Sequence, residues 1–527
     1  MPAEIHEYSK EDLIHRFDGI LDKTLGEIDD LEIFQNVQKF DLQKGVAGTI
    51  IEQCVLRYPP DQEQRPDLII IDGEKRIPTE LKSTGIRTSK KGKEHFVAKE
   101  PMSITAVGVY DLANQTFYHS HFWEKIQHLL IVYYLYSAKK AVPAAEYASF
   151  PIKGYEFHEF NHDDELTLKS DWEHVRRLCE SIVNDYPGPI TREWKAAVKE
   201  DYIARHSALR RFLTYIELVP KFPPRFRLKK PVVNVMVANH FGYELKQLPG
   251  RYITVSDVDA KCAQLQNKYA GWTIGKLANH FGVPLTAPNG KENKGIGEQI
   301  VVKMFGGHAG KLNDIELFQK FGLTAKTITV TPAGGRTEDM KLFQIDFDEI
   351  IKTTYTDEDG TTRPFEFEDS ELYEYFAGNE FLCILFEEPT KEYIRDPQTS
   401  KRVEAKHPLV MNKFLGFQRL VVSDKFIDTY VKNCWNDTRS KIFNRTLVDV
   451  IELNEDGSPK YNKNGSISSA PNFIKASQNA VFIRGSGDDS SPKHKTTCVN
   501  DIYMLPQYIW VKGKAVVEDL NLRAVQP

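Results

Sequence analysis

Leu68-Ile69-Ile70-Ile71 is a short apolar run stopped by Asp72-Gly73, after which the chain continues through Pro78-Thr79 to Glu80-Leu81-Lys82. Few arrangements satisfy that order. Consecutive β-branched residues favour a buried strand, Asp-Gly suits a tight hairpin turn, and the segment through Lys82 becomes the returning strand. Side chains two apart on a strand share a face, so Glu80 and Lys82 point one way while Leu81 points into the core. Asp67, preceded by Pro66, stands at the start of the first strand, where it can meet that pair across the hairpin. Two carboxylates and an ammonium at one spot suit a hard cation with oxygen ligands and a lysine beside the water it activates. That set serves metal-dependent phosphodiester hydrolysis. The same short D…ExK spacing also occurs on ordinary wet strand faces, so the upstream segment matters.

Upstream, Lys44-Gly45-Val46-Ala47-Gly48-Thr49-Ile50-Ile51-Glu52 opens with glycines and runs into a helical pattern with Ile51 and Val55 four apart. Glu52 either brings a third carboxylate to the same cation or is a solvated helix glutamate. Taken together, Lys44-Gly45, Gly48, Glu52, Pro66-Asp67 and Glu80-Leu81-Lys82 resemble the active site of the MutH family. That family comprises the nicking endonuclease of mismatch repair and restriction-enzyme relatives that cut at GATC. Further motifs follow in the family's order: Thr24-Leu25-Gly26-Glu27-Ile28, Leu168 to Glu173 with Asp171-Trp172, and Pro224 to Lys230 followed by Ala238 to Phe241. The resemblance implies an α/β fold of the PD-(D/E)xK nuclease class, with a mixed sheet flanked by helices. It implies Mg2+, with Mn2+ able to substitute, held by Asp67, Glu80 and the backbone carbonyl of Leu81, with Glu52 completing or supporting the site. Lys82 would orient and help deprotonate the attacking water, leaving 5′-phosphate and 3′-hydroxyl ends.

The chain has 527 residues, 27% charged and 41% hydrophobic, which describes a soluble protein long enough for at least two full cores. No apolar run reaches membrane-spanning length, no phosphate-binding P-loop is present, and six scattered cysteines lack any C-x-x-C pair. A cytoplasmic, bacterial protein without a nucleotide cofactor is expected. The net charge of −5 does not advertise DNA, but local runs do. Lys82, Arg87, Lys90, Lys91, Lys93 and Lys99 form one basic stretch. Arg205, Arg210, Arg211, Lys221, Arg225, Arg227, Lys229 and Lys230 form another. Such stretches are either solvated faces or phosphate contacts. With Lys44, the residues Arg225, Arg227, Lys229 and Lys230 are the expected DNA contacts.

An internal repeat accounts for the length. Thr273-Ile274-Gly275-Lys276-Leu277 restates the segment from Thr24, Lys294 to Gly297 echoes Lys44 to Gly48, and Asn313-Asp314 stands where Pro66-Asp67 stood. Thr324-Ala325-Lys326 falls on Glu80-Leu81-Lys82, and Val301 falls opposite Glu52. One carboxylate and one lysine make a poor divalent site. The expected organisation is two tandem MutH-like folds, a pseudo-dimer in one chain, with residues 1–250 catalytic and 251–527 degenerate and DNA-binding. Arg484, Lys512 and Lys514 are its candidate contacts. The resulting expectation is a type II restriction endonuclease acting on double-stranded DNA, self-associating on DNA and accompanied by a cognate methyltransferase. A mismatch-repair nickase and a silent DNA-binding regulator are the alternatives.

Overall fold

The computed structural model describes residues 6–36, 45–58, 65–89, 95–138, 142–188, 191–219, 222–333, 335, 338–356, 362–395, 402–404, 407–454 and 456–519. The chain forms two compact units. The first comprises Met1–Ala260, Phe305–Thr324 and Thr354–Pro364, and the second comprises Lys261–Met304, Ala325–Thr353 and Phe365–Pro527. Among the described residues no helix is long and apolar enough to cross a membrane.

In the first unit the sheet is mixed. Its strands are β1 (Glu7–Ser9), β2 (Leu68–Asp72), β3 (Lys75–Thr88), β4 (Phe96–Ala98), β6 (His128–Leu135) and β7 (Ile152–Glu159), while β5 (Met102–Ala106) lies in a second sheet. The order is β1-β2-β3-β6-β7, with β4 added to β3. The β1–β2 and β3–β6 pairs are parallel, and β2–β3 and β6–β7 are antiparallel. The Asp-Gly turn is present: Asp72 pairs with Lys75, and Gly73 takes φ +62°, a conformation that glycine adopts without Cβ strain. Strand β3 is 14 residues long and changes partners midway. Its first half pairs with β2 as far as Thr79↔Leu68, and its second half pairs with β6 from Glu80↔Leu129 onward. Glu80 therefore stands at the change of partner.

Helices cover this sheet for reasons visible in the residues. Thr24 caps the Leu25–Ile28 turn in a reciprocal box with Glu27, so the Thr-Leu-Gly-Glu motif is a helix start whose Leu25 and Ile28 enter the core. A Cβ on Gly26 would lie 2.9 Å from the Ala148 carbonyl oxygen, so that approach needs glycine. The Val46–Ile50 helix runs on as a π-helical turn, Ile51–Leu56, and buries Val46, Ala47, Ile50, Ile51 and Val55. The His162–Asp185 helix buries Leu168, Asp171 and Trp172. The second sheet of the unit joins β5 to β9 (Arg225–Leu228) and then β8 (Ile216–Leu218), all antiparallel, and leads into the Lys230–His240 helix.

The second unit has a three-stranded sheet ordered Leu323–Val330, Glu380–Glu387, Lys413–Leu420, and another ordered Met340–Gln344, Gln507–Val511, Val481–Gly485. These orders parallel β3-β6-β7 and β5-β9-β8. Small details also recur. Thr273 caps the Ile274–Phe281 helix and bridges Lys413 at the start of a strand, as Thr24 caps its helix and bridges Pro151 just before β7. Gly275 would place a Cβ 3.4 Å from the Val410 carbonyl oxygen.

Candidate active site

The hairpin delivers Asp67, Glu80 and Lys82 to one place. The Asp67 carboxylate accepts the Leu81 backbone N–H at 2.8 Å, which fixes it across the hairpin mouth. Lys82 Nζ donates to Glu80 Oε1 at 2.9 Å, as expected for residues two apart on one strand face, while Leu81 packs into the core. Glu80 is only 3% exposed, and a buried carboxylate needs compensation. Much of it comes from a residue the sequence reading missed. Lys125 Nζ donates to Glu80 Oε2 at 2.6 Å and lies 3.9 Å from Asp67 Oδ1.

Lys125 belongs to the His121–Ile126 helix, which Ser120 caps by accepting the Trp123 N–H. Phe122 and Ile126 of that helix are fully buried, and Lys125 sits on the same side at 7% exposure. A lysine on the apolar stripe of a short capped helix was the available signal. Two carboxylates and two ammonium groups thus meet at one spot, Glu80 and Lys125 buried and Asp67 and Lys82 partly open to solvent.

Burial, and next the Glu80 carboxylate, push the Asp67 carboxyl from its ordinary 3.8 up to about 7, against the opposing pull of Lys125, Lys82 and the Leu81 N–H. The folded protein therefore keeps a proton that the unfolded chain releases between about pH 4 and 7, so its stability falls as pH rises through that window. In EDTA, the melting temperature of the protein should drop across this range, and Asp67→Asn should flatten the drop. A parallel pH profile in the variant would show that other groups dominate.

Glu52 lies in the π-helical turn, a distortion frequently found at functional sites. Its charge, with those of Asp67 and Glu80, acts on the buried Tyr58 hydroxyl. Among the described residues no three His, Cys, Asp or Glu side chains stand at metal-holding spacing, so the structure does not bring Glu52 to Asp67 and Glu80 as a formed ligand set.

The expected DNA contacts divide. Lys44 lies outside the described residues, as do Lys90, Lys91, Lys93 and Lys221. Arg225 and Arg227 share one face of β9, with Phe226 and Leu228 in the core. Arg225 Nε meets Ser103 Oγ at 3.2 Å, and Arg227 pairs with Glu217 at 2.5 Å. Lys230 opens the following helix. Lys229 is a correction: expected at the surface, it is 5% exposed, with its ammonium on the Leu213 carbonyl. The β9 alternation that buries Leu228 does not continue, because Lys229 is the helix N-cap and its side chain turns inward beside Asp171. Arg205 is likewise held by Asp185 and Asp201. Much of the second basic stretch is thus neutralised within the fold.

Thr324, the last residue of a first-unit segment, and Lys326, in the second unit, share a face of the Leu323–Val330 strand, and Val301 is wholly buried. Asp314 closes a 3-10 turn in the first unit. Arg484 is exposed, pairs with Asp339 at 2.9 Å and stacks over Phe482 and Trp510. Lys512 and Lys514 are exposed at and beyond the end of the Gln507–Val511 strand.

Residues 56–171 match the family described as DNA mismatch repair enzyme MutH. The match spans Asp67, Glu80, Lys82, Lys125 and Asp171 and lies within the first unit. It supports a MutH-like DNA endonuclease of the PD-(D/E)xK class, and the mixed sheet with its helices fits that fold. No curated protein matches the chain.

Proposed function

We propose that the chain is a Mg2+-dependent, sequence-specific endonuclease of double-stranded DNA, a type II restriction enzyme cutting at GATC. The observation that carries this reading is the convergence of Asp67, Glu80, Lys82 and Lys125 inside the segment that matches the MutH family. The residues fit a hard cation: the donors are carboxylate oxygens, and the buried Tyr58 hydroxyl beside them has no hydrogen-bond partner among the described residues. Asp67, Glu80 and the Leu81 carbonyl would hold it, with Glu52 in support. When bound, the cation supplies Lewis-acid stabilisation of charge on the scissile phosphate and the leaving oxygen. Lys82, the more exposed of the two lysines, orients the attacking water, and its positive charge helps that water give up its proton. Lys125, buried against Glu80, holds that carboxylate in place. Arg225, Arg227 and Lys230 contribute phosphate contacts.

The second unit, read as a degenerate copy of the same fold, supplies a further DNA-binding surface. Its strand orders and its Thr273 cap support that reading. Arg484, Lys512 and Lys514 are its contacts, and the aromatic rings beneath Arg484 keep the guanidinium extended. A bacterial cytoplasmic setting, a partner methyltransferase and self-association on DNA belong to the same proposal. Because the repeated motif lacks the acid pair, Asp314→Ala and Lys326→Ala in the full chain should change cleavage less than about threefold, whereas Asp67→Ala should abolish it. Loss of cutting in either variant would place chemistry at the repeated motif.

Supercoiled plasmid incubated with Mg2+ tests the whole reading. Linear products with ends mapping to GATC support it, and comparison of methylated with unmethylated plasmid reports the dependence on modification. The family match favours one rival, a repair-type nickase, which would give open circles. Intact plasmid under all metals would make the protein a DNA-binding regulator.

A further inference from the structure

Tyr58 follows the π-helical turn and is held in place by contacts on several sides. Arg57 takes φ +65°, a left-handed conformation costly for a residue with a Cβ, and a bidentate pair with Asp30 at 2.9 and 2.6 Å holds it there. That reversal lets the Tyr58 N–H bond the Glu52 carbonyl at 3.2 Å and folds the ring back over the helix end. The ring then stacks on His6, centroids 4.1 Å apart. The carbonyl of His6 in turn accepts the Ile69 N–H of β2, two residues after Asp67. The residue is 6% exposed, and its hydroxyl makes no hydrogen bond among the described residues. A buried phenol normally finds a partner, because a hydroxyl taken out of water without one loses a hydrogen bond.

Its surroundings say what kind of partner is missing. The nearby charges are the carboxylates of Glu52, Asp67 and Glu80, which with burial push the phenol well above its usual range, so it is a proton donor and not a base. Asp67 Oδ2 already accepts the Leu81 N–H and both Glu80 oxygens accept from lysines, and none of the three carboxylates reaches the Tyr58 hydroxyl. The missing acceptor is therefore something the site gains on binding. A small divalent cation of the Mg2+ type keeps several of its waters.

We propose that the Tyr58 hydroxyl is a positioning group of this site, donating a hydrogen bond to a water that enters with the cation. The inference rests on the nuclease reading above. Tyr58→Phe keeps the ring, the His6 stack and the packing and removes only the donor. Full-length wild type and Y58F are titrated with Mn2+ alone, followed by electron paramagnetic resonance, and melted in EDTA. Y58F should bind Mn2+ about tenfold more weakly, the loss expected for one hydrogen bond to a charged assembly. Its melting temperature in EDTA should be equal or higher, since no hydrogen bond is lost from the cation-free protein. The Mg2+ concentration giving half-maximal cleavage should rise by a similar factor. Unchanged Mn2+ affinity, or a lower EDTA melting temperature with unchanged affinity, would assign Tyr58 to packing and overturn the proposal while leaving the nuclease reading intact. Wild type that takes up no Mn2+ overturns both.

Discussion

Glu80→Gln is expected to lower DNA cleavage by about three orders of magnitude while DNA affinity stays within about threefold of wild type. The substitution preserves volume and one carbonyl oxygen but removes the charge that Lys82 and Lys125 hold from either side at 2.9 and 2.6 Å. Electrostatic stabilisation in a dry, preorganised site is worth roughly 3–4 kcal/mol per group, and losing it affects the transition state far more than ground-state binding. Alanine is the poorer probe here. It would remove the oxygen that accepts from Lys125 as well as the charge, leaving that buried ammonium only Asp67 at 3.9 Å, at a cost of about 3–5 kcal/mol in stability that would mimic a catalytic loss. Lys82→Met should match the loss of activity, since it removes the group expected to handle the water's proton. Single-turnover cleavage of plasmid beside a DNA-binding titration separates the two quantities. Near-normal cutting by Glu80→Gln would move the active site elsewhere.

Lys125 and Lys229 show how far the sequence could be read. The hairpin, its Asp-Gly turn and the meeting of Asp67 with Glu80 and Lys82 were legible because strand alternation and turn chemistry are local. So were the helix starts at Thr24 and Thr273, where a side-chain cap marks the first turn. Lys125 was not, since its role depends on helix His121–Ile126 packing against β3, and lysine on a short helix ordinarily reads as solvated. Lys229 failed in the opposite sense. A run of cations reads as surface, yet tertiary packing turned one of them inward to a carbonyl and toward a buried carboxylate. The chain segments that form a unit were also hidden. Phe305–Thr324 packs with the first unit through contacts distant in sequence, such as Lys320 with Asp164 at 2.5 Å.

Asp171 gives the other large effect, and it is structural. Its carboxylate is completely buried and accepts four hydrogen bonds of 2.6–3.0 Å from three successive backbone N–H groups, those of Thr214, Tyr215 and Ile216. Burial raises its pKa to about 6 even so, and those N–H groups together with Lys229 oppose the rise. Asp171→Ala strands three buried donors and removes the charge facing Lys229, so it should destabilise the first unit by about 3–5 kcal/mol. Lys229→Ala should destabilise as well, by about 2–3 kcal/mol, because it vacates a buried stem and exposes the Leu213 carbonyl to no partner. The two losses should not add, since each single change already breaks the shared arrangement. Urea unfolding of the two single variants and the double variant measures that coupling. The same experiment decides what Lys229 does for DNA. If it acts through the fold, Lys229→Met, which keeps the apolar stem, should recover part of the stability. DNA affinity measured where each variant is fully folded should then stay near wild type, with an unchanged salt slope. A stable Lys229→Met whose salt slope falls by about one would instead return Lys229 to the phosphate contacts.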